Sequence, residues 1–380
     1  MAFAVLHCYA DYKWTGPSEP VAALCRELCR LGWRAELACA RGRDNHERTL
    51  PAQARALGVA VHDEFQFDSR SNLIGNARDV KRLSHLVEAG EFRIVHVHGT
   101  WDHMLAAFAL GRRPRPAPII RSDHRGSMRR GSRLERLEFG PRMTDHLIVL
   151  ADCLRVRAVD KIGLAPETVT TVRGAVDAQG FGPVEPPPGI RQRFGLSNQD
   201  VVIGVVSRVQ RHRRFEVLLE AARHIRLADP RVKIAVLGRG TNKQMILDEP
   251  LNRLGLQETV YPLGYHVEGY REVLAMFDAG LMLVPGSDGS CRAALQMAAM
   301  GKPLVVADRG VLPDIVRDGE TGLVVRDTPA NLADAILEMA QSPQRRRQWG
   351  GAARERMLQH FTPERQAQVV AALYQKMLDT

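Results

Sequence analysis

The sequence predicts an α/β protein built from two doubly wound domains facing across a cleft. Three observations carry this expectation. Short apolar runs alternate with amphipathic helical stretches along the whole chain, a proline-rich break falls near the middle, and the alternation restarts after it. The length of 380 residues agrees, at roughly 150 residues per domain.

In the first half, "FAVLHC" is an apolar run bounded by polar residues and reads as a buried strand. "PVAALCRELCRLG" has helical spacing and stops at Gly32. "RAELAC", "VAVH", "RIVHVH", "APIIRS" and "HLIVL" read as further strands, with "NARDVKRLSHLVEAG" a helix among them. At 183–189 the chain reads "PVEPPPG", and prolines so close together exclude a central strand or a helix interior. The break predicts domains at 1–183 and 184–361. The second begins with strand "VVIGVVS" and helix "RFEVLLEAARHI", then strands "VKIAVLG" and "TVYPLG". Helix "GYREVLAMFDA", strand "GLMLVP", a helix over 291–300 and strands "PLVVA" and "GLVV" follow. The tail "TPERQAQVVAALYQKML" is a capped amphipathic helix, and 362–380 is expected to pack back on the first domain.

Hydrophobic residues make up 45% and charged residues 25%, enough for a sizeable core in each half. No apolar run approaches the ~18 residues of a membrane span. The start, "MAFAVLHCYADYK", lacks a leading positive charge and reads as a first strand rather than a signal peptide. Six cysteines without a C-x-x-C pair predict reduced thiols and a cytoplasmic location. The formal net charge is +10, with arginines crowded between 112 and 142, among them Arg121, Arg125, Arg129, Arg130 and Arg133. That crowding predicts a basic patch for a phosphorylated glycan or an acidic membrane surface. Few aromatics lie among these arginines and no nucleic-acid-binding motif occurs, so nucleic acid is not an expected partner.

Open α/β sheets bind ligands outside the carboxyl ends of their strands. After "GLMLVP" comes "GSDGSCR", whose small residues would let a ligand approach the backbone. Ser290 is a good N-cap for a helix starting near Cys291, and Gly301 with Pro303 a good stop. The helix N-terminus offers unpaired N–H groups, and Arg292 adds a full charge. An ordinary strand–loop–helix connection would look the same. In "SRVQRHRRFEVLLEA", Arg208 and Arg213 precede a helix at a strand's carboxyl end, where forked guanidinium groups suit a diphosphate. Solvated arginines in an arginine-rich chain have equal claim. Gly16 lies between the first strand and helix, and Gly238 sits in "VLGRGT", which is not G-x-G-x-x-G. His96 and His98 alternate on one strand, and His124 follows another. A metal site would need a third ligand, for which His103 is a loose candidate, so packing or hydrogen-bonding roles are expected.

The ordered series of these segments resembles the retaining glycosyltransferases of family 4, of two-Rossmann-domain GT-B architecture, over nearly the whole chain. "GPSEPV" resembles that family's Gly-Gly loop, "RIVHVH" and "IIRSDHRG" its acceptor-domain strands, and "VRGAVD" with Phe181 the segment before the linker. "SRVQRHRRFEVLLEA" resembles its donor-phosphate loop. "LGRGT", "YPLGY", "FDAGLMLVP" and "LQMAAMGKPLVVADRGVLPDIVRDGETGLVV" follow its donor domain in order. The resemblance implies that Arg208 and Arg213 clamp the diphosphate of a nucleotide-sugar donor, with Gly16 and Gly238 against it. It implies that His124 faces the donor sugar, and that amides of Ser290, Cys291 and Arg292, next to Gly289, cap its oxygens. Asp288 and Gln296 take the places of two glutamates, the first contacting sugar hydroxyls and the second the nucleotide ribose.

The chain departs from the family at Pro17, Arg213, Arg214, Asp288 and Gln296. Exchanging a charged for a neutral partner at Gln296 predicts a loss of about 1 kcal/mol in donor affinity. The implied activity is sugar transfer, with retention, to a hydroxyl of a glycan or glycolipid acceptor, in polysaccharide or lipopolysaccharide synthesis. Positive groups fixed where the phosphate departs would stabilise the transition state. The catalytic set would be Arg208, Arg213, His124 and Asp288. No Asp-x-Asp motif occurs, and a site needing no metal or other cofactor is expected. A nucleotide-sugar epimerase, a phosphorylase and a weakly active donor-binding scaffold are the alternatives.

Overall fold

The computed structural model describes residues 3–15, 17–42, 48–67, 72–111, 114–124, 132–266, 268–286, 289 and 291–379. Two compact units divide the chain: Met1–Gly174 with Pro363–Thr380, and Ala175–Thr362.

The first unit holds seven parallel strands: β1 (Ala4–Tyr9), β2 (Arg34–Ala40), β3 (Ala60–Phe65), β4 (Ile94–Val97), β5 (Ile119–Asp123), β6 (His146–Val149) and β7 (Val169–Thr171). Their order is β3-β2-β1-β4-β5-β6-β7. Strands covered on both faces read as unbroken apolar runs, and β1 is buried at every position. On one face Val5, Ile94, Ile120 and Ile148 pack with helices Ser18–Arg30 and Pro363–Leu378. On the other, Leu6, Val95, Val97 and Ile119 meet helices Leu73–Ala89 and Thr100–Leu110.

The second unit holds β8 (Val201–Val206), β9 (Val232–Leu237), β10 (Val260–Gly264), β11 (Ala279–Met282), β12 (Leu304–Ala307) and β13 (Gly322–Val325), in the order β10-β9-β8-β11-β12-β13. All ladders are parallel. Strand order therefore reverses at β1/β4 in one sheet and at β8/β11 in the other, the two places where such sheets take ligands.

The division falls at Gly174, earlier than the proline run that marks a boundary at 183 in the sequence. Prolines end elements, but tethers decide which unit a segment joins. The Val176 N–H donates to the Phe361 carbonyl, Arg354 donates to the Ala178 carbonyl and Arg271 to that of Gly182. None of the six cysteines is bonded to another; Cys29 and Cys153 are exposed and the rest buried.

Candidate functional site

At the second switch point two loops are joined. After β8, the Ser207 and Val209 N–H groups donate to the carbonyls of Leu237 and Arg239, so this loop runs beside the one after β9. Gly238 makes that possible, because a Cβ there would sit 2.0 Å from the Ser207 oxygen. Arg208 lies exposed on this loop, and its guanidinium makes no hydrogen bond or ion pair among the described residues. Arg213, in the short turn Arg211–Arg213, points inward instead and is only 7% exposed. It donates to the Val284 carbonyl at 3.3 Å and to that of Pro285. Both carbonyls belong to the loop after β11, so a buried cation ties the two loops together.

Each loop leads into a helix, Phe215–Ala228 and Arg292–Ala299, and neither has a side-chain cap. Their N-cap residues, Arg214 and Cys291, take left-handed φ values of 64° and 53°. Such non-glycine conformations cost of order 1–3 kcal/mol and cluster at ligand sites. The N-cap residue is thus Cys291, not Ser290 as the sequence suggested; the local backbone turns one residue later. Gly289 has φ 67°, which favours glycine, and its N–H donates to the Gly286 carbonyl. The helix ends as expected: Gly301 takes φ 73° and donates to the Ala298 carbonyl. Gly16, Asp288 and Ser290 lie outside the described residues.

Gln296 is 8% exposed, and its Oε1 accepts a 2.9 Å hydrogen bond from the Tyr270 hydroxyl. A buried phenol needs an acceptor, and this amide supplies it. Burial pushes the Tyr270 phenol up, while the charge of Arg292 opposes the shift. Tyr270 begins the helix Tyr270–Ala275 and meets Phe181 edge-on, with centroids 6.3 Å apart. With its carbonyl engaged, Gln296 keeps two amide N–H donors for a ligand oxygen.

At the first switch point a polar layer crosses an apolar core. Residues of one parity share a sheet face, and His7 of β1 pairs with His96 of β4 in register. His98, Ser122 and His124 continue the same face, and Tyr374 of the last helix closes it. His7 Nδ1 is hydrogen-bonded to His98 Nε2 at 2.9 Å, and His98 Nδ1 to His124 Nε2 at 2.9 Å. His96 Nδ1 meets the Tyr374 hydroxyl at 2.5 Å and its Nε2 meets Ser122 Oγ at 2.8 Å. Burial lowers His7 to about 3 and His96 and His98 well below the ordinary histidine value, so all three are neutral near pH 7. His7, His96 and His98 also place one nitrogen each within 4.8 Å of the others, a spacing a metal ion could use. His103, the third histidine weighed from sequence, lies elsewhere, hydrogen-bonded to Thr144 at 3.0 Å.

The arginine-rich stretch is less uniform than its composition suggested. Arg121 is not on the surface; it is 4% exposed within β5, where its charge opposes the effect of burial on Asp102 and Glu138. A residue inside an interior parallel strand has no solvent face. Arg133 is exposed on helix Arg133–Phe139, which Ser132 and Glu135 cap reciprocally. Arg125, Arg129 and Arg130 lie outside the described residues.

Sequence reasoning missed His7, Tyr270 and Tyr374. Only His7 left a trace, as a lone polar residue in "FAVLHC".

Comparison with known proteins bears on both units. Residues 16–179 match the model of "Glycosyltransferase Family 4", and 188–356 that of "Glycosyl transferases group 1". The D-inositol 3-phosphate glycosyltransferase of Thermobifida fusca is 29% identical over 55% of this chain and 50% of its own; the chain thus spans about half the length of that curated relative. Among solved structures, a glycosyltransferase from Rickettsia africae superposes with TM-score 0.81 at 14% identity, covering 99% of each chain. Anabaena HepE in complex with UDP and glucose gives TM-score 0.74 at 17% identity, over 97% of this chain and 98% of that one.

Proposed function

Because the chain belongs to the glycosyltransferases of group 1 and family 4, we propose that it moves a sugar from a nucleotide-sugar donor to a hydroxyl of a glycan or glycolipid acceptor. The observation that carries the donor assignment is the pair of loops after β8 and β11. They meet at a switch point, Arg213 holds them together, and two helices without side-chain caps begin there. Such N-termini attract anions. HepE, of the same fold, binds UDP and UDP-glucose.

In the proposed reaction the pyrophosphate lies against Arg208, Arg292 and the first-turn amides of the two helices. Negative charge grows on it as the glycosidic bond breaks, and charges fixed in advance favour that state. Arg213 supports the site from beneath. Its carbonyl partners occupy it, which makes Arg208 the better candidate for direct phosphate contact. Gln296 offers its amide N–H groups to the nucleotide ribose. We take transfer to proceed with retention and without a metal ion, the acceptor hydroxyl attacking from the face the nucleotide leaves.

The first unit is assigned the acceptor. On helix Arg133–Phe139, Leu134 is 77% and Leu137 42% exposed beside Arg133 and Arg136. Apolar and basic residues together suit the cytoplasmic face of an acidic membrane. No helix among the described residues is long and apolar enough to cross one.

The test is product analysis with a panel of nucleotide sugars and acceptors, with and without chelator, in wild type and Arg208→Ala. Transfer that persists with chelator and falls roughly 10²–10³-fold in the variant supports the proposal. Isomerised donor without transfer would replace it with an epimerase. Absence of salt-sensitive binding to acidic vesicles would remove the membrane assignment alone.

A further inference from the structure

On the outer side of the second unit, a groove runs between the helix Phe215–Ala228 and the segment that follows β9. Its volume is about 360 Å³, within the roughly 300–1,000 Å³ of small-molecule sites. Part of its lining is apolar: Leu219 is buried, Ile246 and Leu254 are half-buried, and Met245 beside them is 53% exposed.

The rest of the lining is charged, and its charges are unequally matched. Glu216 is paired with Arg214 at 3.3 Å and Glu220 with Arg223 at 3.0 Å. Lys243 and Asp248, in the neighbouring turn, neutralise each other at 2.5 Å. Two exposed arginines that line the groove, Arg211 and Arg253, have no carboxylate partner among the described residues. Arg211 Nη2 lies 3.1 Å from the Met245 sulfur, and the Arg253 guanidinium makes neither a hydrogen bond nor an ion pair among those residues. The acids are thus engaged and two forked cations remain beside an apolar surface. Guanidinium groups bind phosphate and carboxylate through charge-assisted hydrogen bonds.

We propose that this groove is an effector site for a small amphiphilic anion, a phosphate or carboxylate carried on an apolar body, whose binding is felt at the donor loops. The coupling rests on the donor reading proposed above; the groove itself does not.

The turn Arg211–Arg213 makes the connection, because it faces two ways. Arg211 lines the groove, while Arg213 donates to the Val284 and Pro285 carbonyls and joins the loops after β8 and β11. Met245, the contact of Arg211, sits on a single turn of π-helix, Gln244–Asp248. Such turns are rare and recur at functional sites. An anion held by Arg211 and Arg253 therefore fixes the outer side of the turn whose inner side ties the donor loops. A ligand that prefers one arrangement of this turn shifts the affinity for the other ligand, and the effect is reciprocal.

Octyl phosphate, below its micelle-forming concentration, is the probe. Spectra of the full chain with methyl-labelled methionine report on Met245, assigned with Met245→Leu. Met245 should shift on titration, and Arg253→Ala should weaken binding about tenfold with the melting temperature unchanged. Inorganic phosphate that moves Met245 as strongly would overturn the site, since the apolar lining would then contribute nothing. Octyltrimethylammonium that does so would overturn it too, since charge would not matter. So would octyl phosphate that binds and leaves Met245 unmoved. Calorimetry with UDP reads the coupling. Saturating octyl phosphate should change the UDP Kd about fivefold in wild type and leave it unchanged in Arg253→Ala. An unchanged Kd in wild type overturns the coupling, and a change that persists in Arg253→Ala is competition at the donor loops and overturns it as well. A protein that takes octyl phosphate at Met245 but no UDP would keep the site and sink the donor reading, and with it the coupling. UDP binding with Met245 unmoved by octyl phosphate would do the reverse.

Discussion

Acid should unfold the first unit before the second. Burial lowers His7 and His103 to about 3 and His146 to about 4, and holds His96 and His98 well below their ordinary value. All five lie in the first unit, whereas His212, His224, His266 and His360 of the second are exposed or half-buried. An unfolded chain's histidines titrate near 6.5. Below that pH the unfolded state takes up protons that the folded state refuses, so stability falls as pH falls. The loss starts near 6.5 and, for His7, continues to about 3. Each such histidine costs about 1.4 kcal/mol per pH unit in this window. One unit below 6.5, His7, His96 and His98 together therefore cost about 4 kcal/mol, against a total stability of roughly 5–15. Urea unfolding followed by tryptophan fluorescence suits the test, because Trp14, Trp33 and Trp101 report on the first unit and only Trp349 on the second. Amide exchange in the two sheets separates them further. A first unit equally stable at about pH 7.5 and 5.5, or two units weakening in parallel, would refute the reasoning.

Two further substitutions probe the second unit. Arg213→Ala strips the Val284 and Pro285 carbonyls of their buried donor and should cost about 2–4 kcal/mol in urea unfolding, with Arg213→Lys costing less. Tyr270→Phe removes one neutral hydrogen bond to Gln296 and should cost about 1 kcal/mol, while Gln296→Glu should tighten nucleotide-sugar binding about fivefold by calorimetry.

The alternation of strand and helix was legible because parallel strands buried on both faces leave apolar runs, and the break at 183–189 left a visible seam. Short helices such as Arg133–Phe139 and Asp152–Arg157 were not legible, since two turns carry little periodicity. In the site, the loops after β8 and β11 could be located because glycine, serine and arginine gather after an apolar strand. What Arg213 does there could not, because its partners are backbone carbonyls 71 and 72 residues away. Arg121 shows how composition misleads: nine neighbouring arginines suggested a surface, but its place in β5 decides its burial. The histidine line was half visible, as the period-two pair His96 and His98. Its other members come from β1, from Ser122 and His124 at the end of β5, and from Tyr374, 278 residues beyond His96, and only the fold brings them together.

The central claim is that a donor pyrophosphate binds where the loops after β8 and β11 meet. Calorimetric titration with UDP, combined with amide exchange, tests it most directly. UDP should bind wild type, lose roughly 10–100-fold in affinity in Arg208→Ala, and protect amides in 208–216 and 291–295. Equal affinity in the two proteins, or protection confined to segments away from these loops, would contradict it.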